Sequence, residues 1–219
     1  MDVFDILGPV MIGPSSSHTA GAARIGRLAL ALLGAPCVRA DILLHGSFAK
    51  TYRGHGTDKA LIAGIMGLSA EDSRLRNAPK IAAKQGMAVT IRTGEIDGAH
   101  PNTALLTLED KDGRQLTVQG SSIGGGNIQI TQVNGMDVSI TGQHTTLIVL
   151  HRDTPGIIAT VTEILSDAGV NICNFNLSRK KKGGDAVMTI ELEGDFDPAL
   201  NGRISAIDQV FASTMLRPI

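Results

Sequence analysis

Three of this chain's histidines stand in segments rich in glycine, serine, proline and asparagine, a setting that leaves an imidazole accessible. The first segment, Gly13-Pro14-Ser15-Ser16-Ser17-His18-Thr19-Ala20-Gly21, brings hydroxyls and backbone N–H groups to the start of a helix. Such a terminus favours an anion, for example a substrate carboxylate. A serine N-cap beside a surface histidine accounts for the same residues. In the second, Arg53-Gly54-His55-Gly56-Thr57-Asp58, glycines flank the imidazole and Asp58 is placed to cap the next helix. A loop histidine near a carboxylate suits general-base work, because imidazole titrates near neutral pH, although most such histidines are not catalytic. The third, Ala99-His100-Pro101-Asn102, precedes a strand and carries less on its own. A glycine run, Ser121-Ser122-Ile123-Gly124-Gly125-Gly126-Asn127-Ile128, lacks dinucleotide-fingerprint spacing and opens no helix. It reads as a bulge or as a place of close backbone approach.

Composition bounds what these segments do. With 42% hydrophobic and 19% charged residues, the 219-residue chain reads as neither disordered nor membrane-inserted. It has no Trp, one Tyr and a net charge of −1, which argues against nucleic acid as a partner. The one dense basic run, Arg179-Lys180-Lys181-Lys182, reads as a solvated hairpin tip. The acidic start Met1-Asp2-Val3-Phe4-Asp5 lacks the marks of a signal peptide, and Leu28 to Leu33 is too short to span a membrane, so a cytoplasmic location is expected. Cys37 and Cys173 are the only cysteines: they suggest no disulfide framework and fall short of the four thiolates an iron–sulfur cluster usually takes.

The elements that must position the histidines fall into two groups. Ala20 to Leu33 reads as a helix with Ile25, Leu28 and Leu32 on one face, ended by Gly34-Ala35-Pro36. A strand over 40–44, helices over 58–66 and 79–84, and strands over 88–93, 103–109, 114–120, 128–133 and 138–140 follow. Beyond a boundary near Gly142 the pattern changes. A strand at Leu147 to Leu150, a helix entered at Pro155 with Ile157, Ile158, Val161, Ile164 and Leu165 on its stripe, a hairpin over 170–192, a helix after Pro198 and a strand over 210–216 give the order βαββαβ. The fold class is α+β, with a first domain over 1–142 and a ferredoxin-like module over 145–219. That module is of a kind that senses a small ligand or pairs with a copy of itself.

Taken in order, Gly-Pro-Ser-Ser-Ser-His-Thr at 13–19, Gly-His-Gly-Thr-Asp at 54–58, His-Pro-Asn at 100–102 and Ser-Ile-Gly-Gly-Gly at 122–126 resemble the beta chain of the two-subunit, iron–sulfur-dependent bacterial L-serine dehydratases. The likeness covers essentially the whole chain. The C-terminal module resembles an ACT domain, and the first domain is similar to the allosteric substrate-binding domain of some phosphoglycerate dehydrogenases. The resemblance implies β-elimination from L-serine to pyruvate and ammonia, with a [4Fe-4S] cluster ligated by a separate alpha chain and no metal ligand on this one. It implies His55 as the base, His100 helping to bind substrate or close the site, and Ser15, Ser16, Ser17, His18 and Thr19 facing the serine carboxylate. His-Pro-Asn departs from the His-Glu-Asn of single-chain members. In the ACT module the implied regulatory-ligand residues are His151, Asp153 and Asn171, with Asp153 standing where a serine-feedback domain carries Asn. Expected partners are the alpha chain, L-serine and a second copy of this chain, bound through the ACT or N-terminal domain. A purely regulatory subunit and a free-standing amino-acid sensor are the competing readings.

Overall fold

In the computed structural model the described residues are 11, 13–194, 197 and 199–218; Met1 to Asp5 and Pro198, both used above, lie outside them. The chain divides into two compact units, one ending at Gly135 and the other spanning Met136–Pro218.

The first unit is built on helix α1 (Ala22–Leu33), whose apolar face buries Ile25, Leu28, Ala29 and Leu32, and which stops at Gly34 in the left-handed conformation. The helical winding starts earlier than expected, because Ser16–Gly21 forms a π-helical turn that runs into α1. Strand β1 (Cys37–Leu44) follows, then α2 (Gly46–His55), α3 (Thr57–Ile65), a 3₁₀ turn at Ser73–Asn77 and α4 (Ala78–Lys84). The loop expected at 53–58 is therefore almost absent. Gly56, at φ 72°, ends α2 and starts α3 in a single residue, a backbone shape that other residues adopt at a cost. Gly56 also takes the N-cap position expected for Asp58, and no side chain caps α3.

Strands β2 (Ala88–Thr93), β3 (Thr103–Asp110), β4 (Gln115–Gly124), β5 (Asn127–Val133) and β6 (Met136–Ile140) complete a six-stranded sheet of order β2-β1-β3-β4-β5-β6. Strands β1 and β2 pair in parallel, whereas β3 pairs antiparallel with β1 and β4, and β4 with β5. Ala40, Ile42, Leu44, Leu106, Leu108, Val118 and Ile130 are buried on the helix-facing side, as period-two alternation requires. Gly124, Gly125 and Gly126, all at positive φ, turn β4 into β5 beside a register shift, which bears out the bulge reading of the glycine run.

Helices α1 and α3 cross at Gly26 and Gly64. A Cβ on Gly26 would lie 2.5 Å from the Leu61 carbonyl oxygen, and one on Gly64 would collide with the Ala23 carbonyl. Backbone-to-backbone packing at this crossing ties the turn that precedes α1 to the turn that precedes α3. Those two turns carry His18 and His55.

The second unit holds β7 (Thr145–Arg152), α5 (Ile157–Asp167), β8 (Asn171–Arg179), β9 (Asp185–Glu193), α6 (Ala199–Ser205) and β10 (Val210–Leu216). Its antiparallel sheet has the order β10-β7-β9-β8, so the ferredoxin-like reading holds. Leu147, Val149, Val161, Leu165, Met188, Ile190, Leu200 and Ile204 form the core between sheet and helices. Helix α5 begins one residue after Gly156, at φ 92°, and not on Pro155. Lys180, Lys181 and Lys182 are exposed at the β8–β9 turn.

Candidate active site

Ser15 sits in extended backbone at φ −147° and caps the π-helical turn, its Oγ accepting the His18 N–H at 3.3 Å. The His18 side chain turns inward and is buried. Its Nδ1 lies 3.3 Å from Ser15 Oγ and its Nε2 3.1 Å from Ser47 Oγ. Ser47 belongs to the first turn of α2, which the 100–102 loop holds: the Pro101 carbonyl accepts from the N–H of Ser47 at 2.7 Å and of Phe48 at 3.4 Å. The His18 ring meets Phe48 edge-on at 5.3 Å and His55 edge-on at 4.7 Å. Burial first, and the charge of His55 second, lower the pKa of His18, which favours its neutral form.

His55 is the last residue of α2, and its carbonyl accepts from Thr19 Oγ1 at 3.4 Å. Its Nδ1 is buried and has no hydrogen-bond partner; Thr57 Oγ1, Asp58 Oδ1 and Ser122 Oγ share that condition. Buried polar atoms left unpaired cost stability, and three of these, on His55, Thr57 and Asp58, fall on one turn, which marks a place arranged for something other than stability.

His55 lines a cleft of about 600 Å³ together with Gly13, Pro14, Thr19, Arg53, Lys59 and Arg76 among others. Arg53, Lys59 and Arg76 are cationic, and among the described residues no carboxylate lines the cleft. Arg76 stands on the 3₁₀ turn that Asp72 caps by accepting the Arg74 N–H at 2.9 Å. The Arg74 guanidinium, donating to the same carboxylate, does most to hold the Asp72 pKa down to about 2. Sequence reasoning assigned no role to these cations. Arg53 and Lys59 flank His55 closely enough to have been considered, whereas Arg76 arrives from a separate turn with no local signal.

Of the 15–19 segment, Thr19 lines the cleft, while Ser15 and His18 are engaged with each other and with Ser47. Ser16 and Ser17 are half-buried. His100 is exposed, accepts the Asn102 N–H at 3.1 Å through Nδ1, and is not among the cleft's lining residues. Its loop braces the N-terminal end of α2, about 15 Å of helix from His55 at the other end.

The family model for the serine dehydratase beta chain matches residues 2–94, and that for the ACT domain matches residues 145–200. Over 214 residues the chain is 42% identical to a probable L-serine dehydratase beta chain of Bacillus subtilis, covering 98% of this chain and 97% of the relative. It is 33% identical over 207 residues to the L-serine dehydratase beta chain of Peptoniphilus asaccharolyticus, covering 94% and 93%. This chain belongs to the L-serine dehydratase beta-chain family. A D-3-phosphoglycerate dehydrogenase of Synechocystis is 28% identical over 190 residues, covering 85% of this beta chain and 33% of that relative.

In the ACT domain of this beta chain the three expected ligand residues do not converge. His151 is buried at the end of β7, with Nδ1 2.8 Å from the Arg152 carbonyl and Nε2 without a partner. Asp153 Oδ2 accepts from Arg179 Nη1 at 2.6 Å and from the Gly183 N–H at 2.9 Å. Asn171 donates to Glu193 Oε2 at 2.7 Å. His151 pairs with Ala186 and Asn171 with Glu193, seven residues along β9, a separation of about 23 Å. One ligand can touch Asn171 and Asp153 together only if two copies contribute.

Cys37 and Cys173 are free and belong to different units. Among the described residues no group of three His, Cys, Asp or Glu side chains is placed to hold a metal ion. A cluster's donor set therefore does not fit on the described part of this beta chain. No helix among the described residues is long and apolar enough to cross a membrane.

Proposed function

We propose that this beta chain completes, with a cysteine-bearing alpha chain, a cytoplasmic L-serine ammonia-lyase that yields pyruvate and ammonia, and that His55 is its base. The observation that carries the reading is the position of His55: among the described residues its buried Nδ1 has no partner, and it stands in the wall of a cleft lined by three cations. Arg53, Lys59 and Arg76 supply the charge complement of the serine carboxylate, and Thr19 adds a hydroxyl. The substrate ammonium finds no counter-charge among these lining residues, so the alpha chain provides it. When bound by the alpha chain's cysteines, the [4Fe-4S] cluster supplies Lewis acidity toward the serine β-hydroxyl.

His55 accepts the α-proton. The C–H electron pair becomes the Cα–Cβ π bond as the Cβ–O bond breaks and the hydroxyl departs, protonated, as water. The aminoacrylate tautomerises to an imine, and water hydrolyses that to pyruvate and ammonia. Only a neutral imidazole can take the first proton, and the imidazolium formed returns that proton to the departing hydroxyl, which restores the base.

The test is His55→Ala in the reconstituted two-chain enzyme. Turnover is expected to fall on the order of 10²- to 10⁴-fold with cluster content and assembly intact. Near-normal turnover would leave a purely regulatory subunit as the better reading.

A further inference from the structure

We infer that Ser47 and His18 form a positioning relay for His55, so that His18 acts through its neighbour and not on the substrate carboxylate. The inference rests on the proposed role of His55 and deepens it. Both ring nitrogens of His18 are within reach of protein hydroxyls, Ser15 Oγ at 3.3 Å and Ser47 Oγ at 3.1 Å, which leaves no free nitrogen for a ligand. A neutral imidazole offers one donor and one acceptor, and a hydroxyl can serve either, so the two serines satisfy it in either tautomer. The ring is thereby held edge-on to His55 at 4.7 Å, with Phe48 at 5.3 Å on another side.

Two further contacts show that the relay bears on His55 itself. Thr19, next to His18, donates to the His55 carbonyl at 3.4 Å. Ser47 and His55 belong to the same helix, α2, so His18 spans its first turn and its last residue. His55 has no hydrogen bond of its own at Nδ1, and packing against His18 is what fixes its ring. The other charged groups nearby are Arg53, Lys59 and Arg76 in the cleft wall and Asp58 on the following turn. None of them is bonded to the His55 ring.

The experiment uses Ser47→Ala, Ser47→Thr and His18→Asn, the last keeping an amide within reach of Ser15 while removing the ring edge. In the reconstituted enzyme, Ser47→Ala and His18→Asn are expected to lower kcat about tenfold, with KM within about twofold of the parent, because a misplaced base loses rate without losing binding. Ser47→Thr restores most of the rate. In the full-length chain, the imidazole ¹⁵N signals of His55 shift in Ser47→Ala and return in Ser47→Thr. A raised KM at unchanged kcat would overturn the inference by making His18 a substrate contact, and His55 signals indifferent to Ser47→Ala would overturn it equally. The resonance measurement stands apart from activity: a His55→Ala enzyme with normal turnover defeats the base assignment, whereas silent His55 resonances defeat the relay alone.

Discussion

The turn at His55 and the loop at Asp153 carry polar side chains in similar local settings, each where a helix meets an adjoining segment, yet their hydrogen bonding is opposite. At the first, His55 Nδ1, Thr57 Oγ1 and Asp58 Oδ1 are buried without partners. At the second, Asp153 is bound to Arg179 and to the Gly183 N–H, and Asn171 at the far end of β9 is bound to Glu193, which leaves His151 Nε2 the one expected ligand atom there without a partner. Unsatisfied buried groups mark a fold that gives up stability to keep chemistry available; satisfied ones mark a fold already closed on itself. A ligand at Asp153 must displace bonds that the module makes without it.

The largest expected effect separates the two regions. His55→Ala removes turnover in the reconstituted enzyme, while Asn171→Ala leaves effector-free turnover as it was; comparable losses from both would erase the contrast. Next in size is Gly64→Ala. Its added methyl collides with the Ala23 carbonyl, where backbone has to shift, and overpacking of this kind costs about 1–3 kcal/mol. Thermal unfolding should register that loss, and because the turns that lead into α1 and α3 carry the two histidines, kcat should fall with it. A melting temperature equal to the parent's would show that the crossing is loose.

Acid offers a milder probe of the same site. The folded-state pKa of His18 lies below 6.5 because of burial and then His55, so the unfolded chain binds the proton more readily. Stability contributed by neutral His18 is full above 6.5 and is lost as pH falls from there through the lowered value. Urea unfolding midpoints followed between pH 7 and 5 should decline, and the decline should be shallower in His18→Asn. Parallel profiles for the two proteins would remove His18 as the sensitive group.

Much of this fold was legible because alternation and helical spacing survive in β1 to β5 and in α1 and α5. The ACT order followed from the same patterns. The 53–58 segment misled because its glycines read as a loop, whereas Gly56 uses its left-handed freedom to join two helices with no loop at all. Two of the three histidine motifs come together in the fold, since His18 and His55 meet, and the His100 loop lies apart from them. Ser47 and Arg76 were invisible for a different reason: each reaches the site through tertiary packing, one across the π-helical turn and one from the 3₁₀ turn, and no local spacing encodes either. Asn171 and His151 suited one ligand as residue types, but the strand register places them about 23 Å apart.

The smallest effect tests the closed region directly. In Asp153→Asn the amide oxygen can still accept from the Gly183 N–H, but the charge that draws Arg179 is gone. Exposed ion pairs contribute little to global stability, so the melting temperature should barely move. What should change is local: amide exchange at Gly183 should quicken, while Asn171→Ala, at the other end of β9, leaves it alone. The pH dependence follows from the sign of the shift. The Gly183 N–H, then Arg179, hold the Asp153 carboxyl below 3.8, so its contribution is present above 3.8 and is lost as pH falls through the lowered value. The exchange difference between parent and variant should therefore persist at neutral pH and vanish in strong acid. Were Gly183 equally protected in both proteins at neutral pH, the Asp153 carboxylate would not be holding the hairpin, and it would stand as available to a ligand as His55 does.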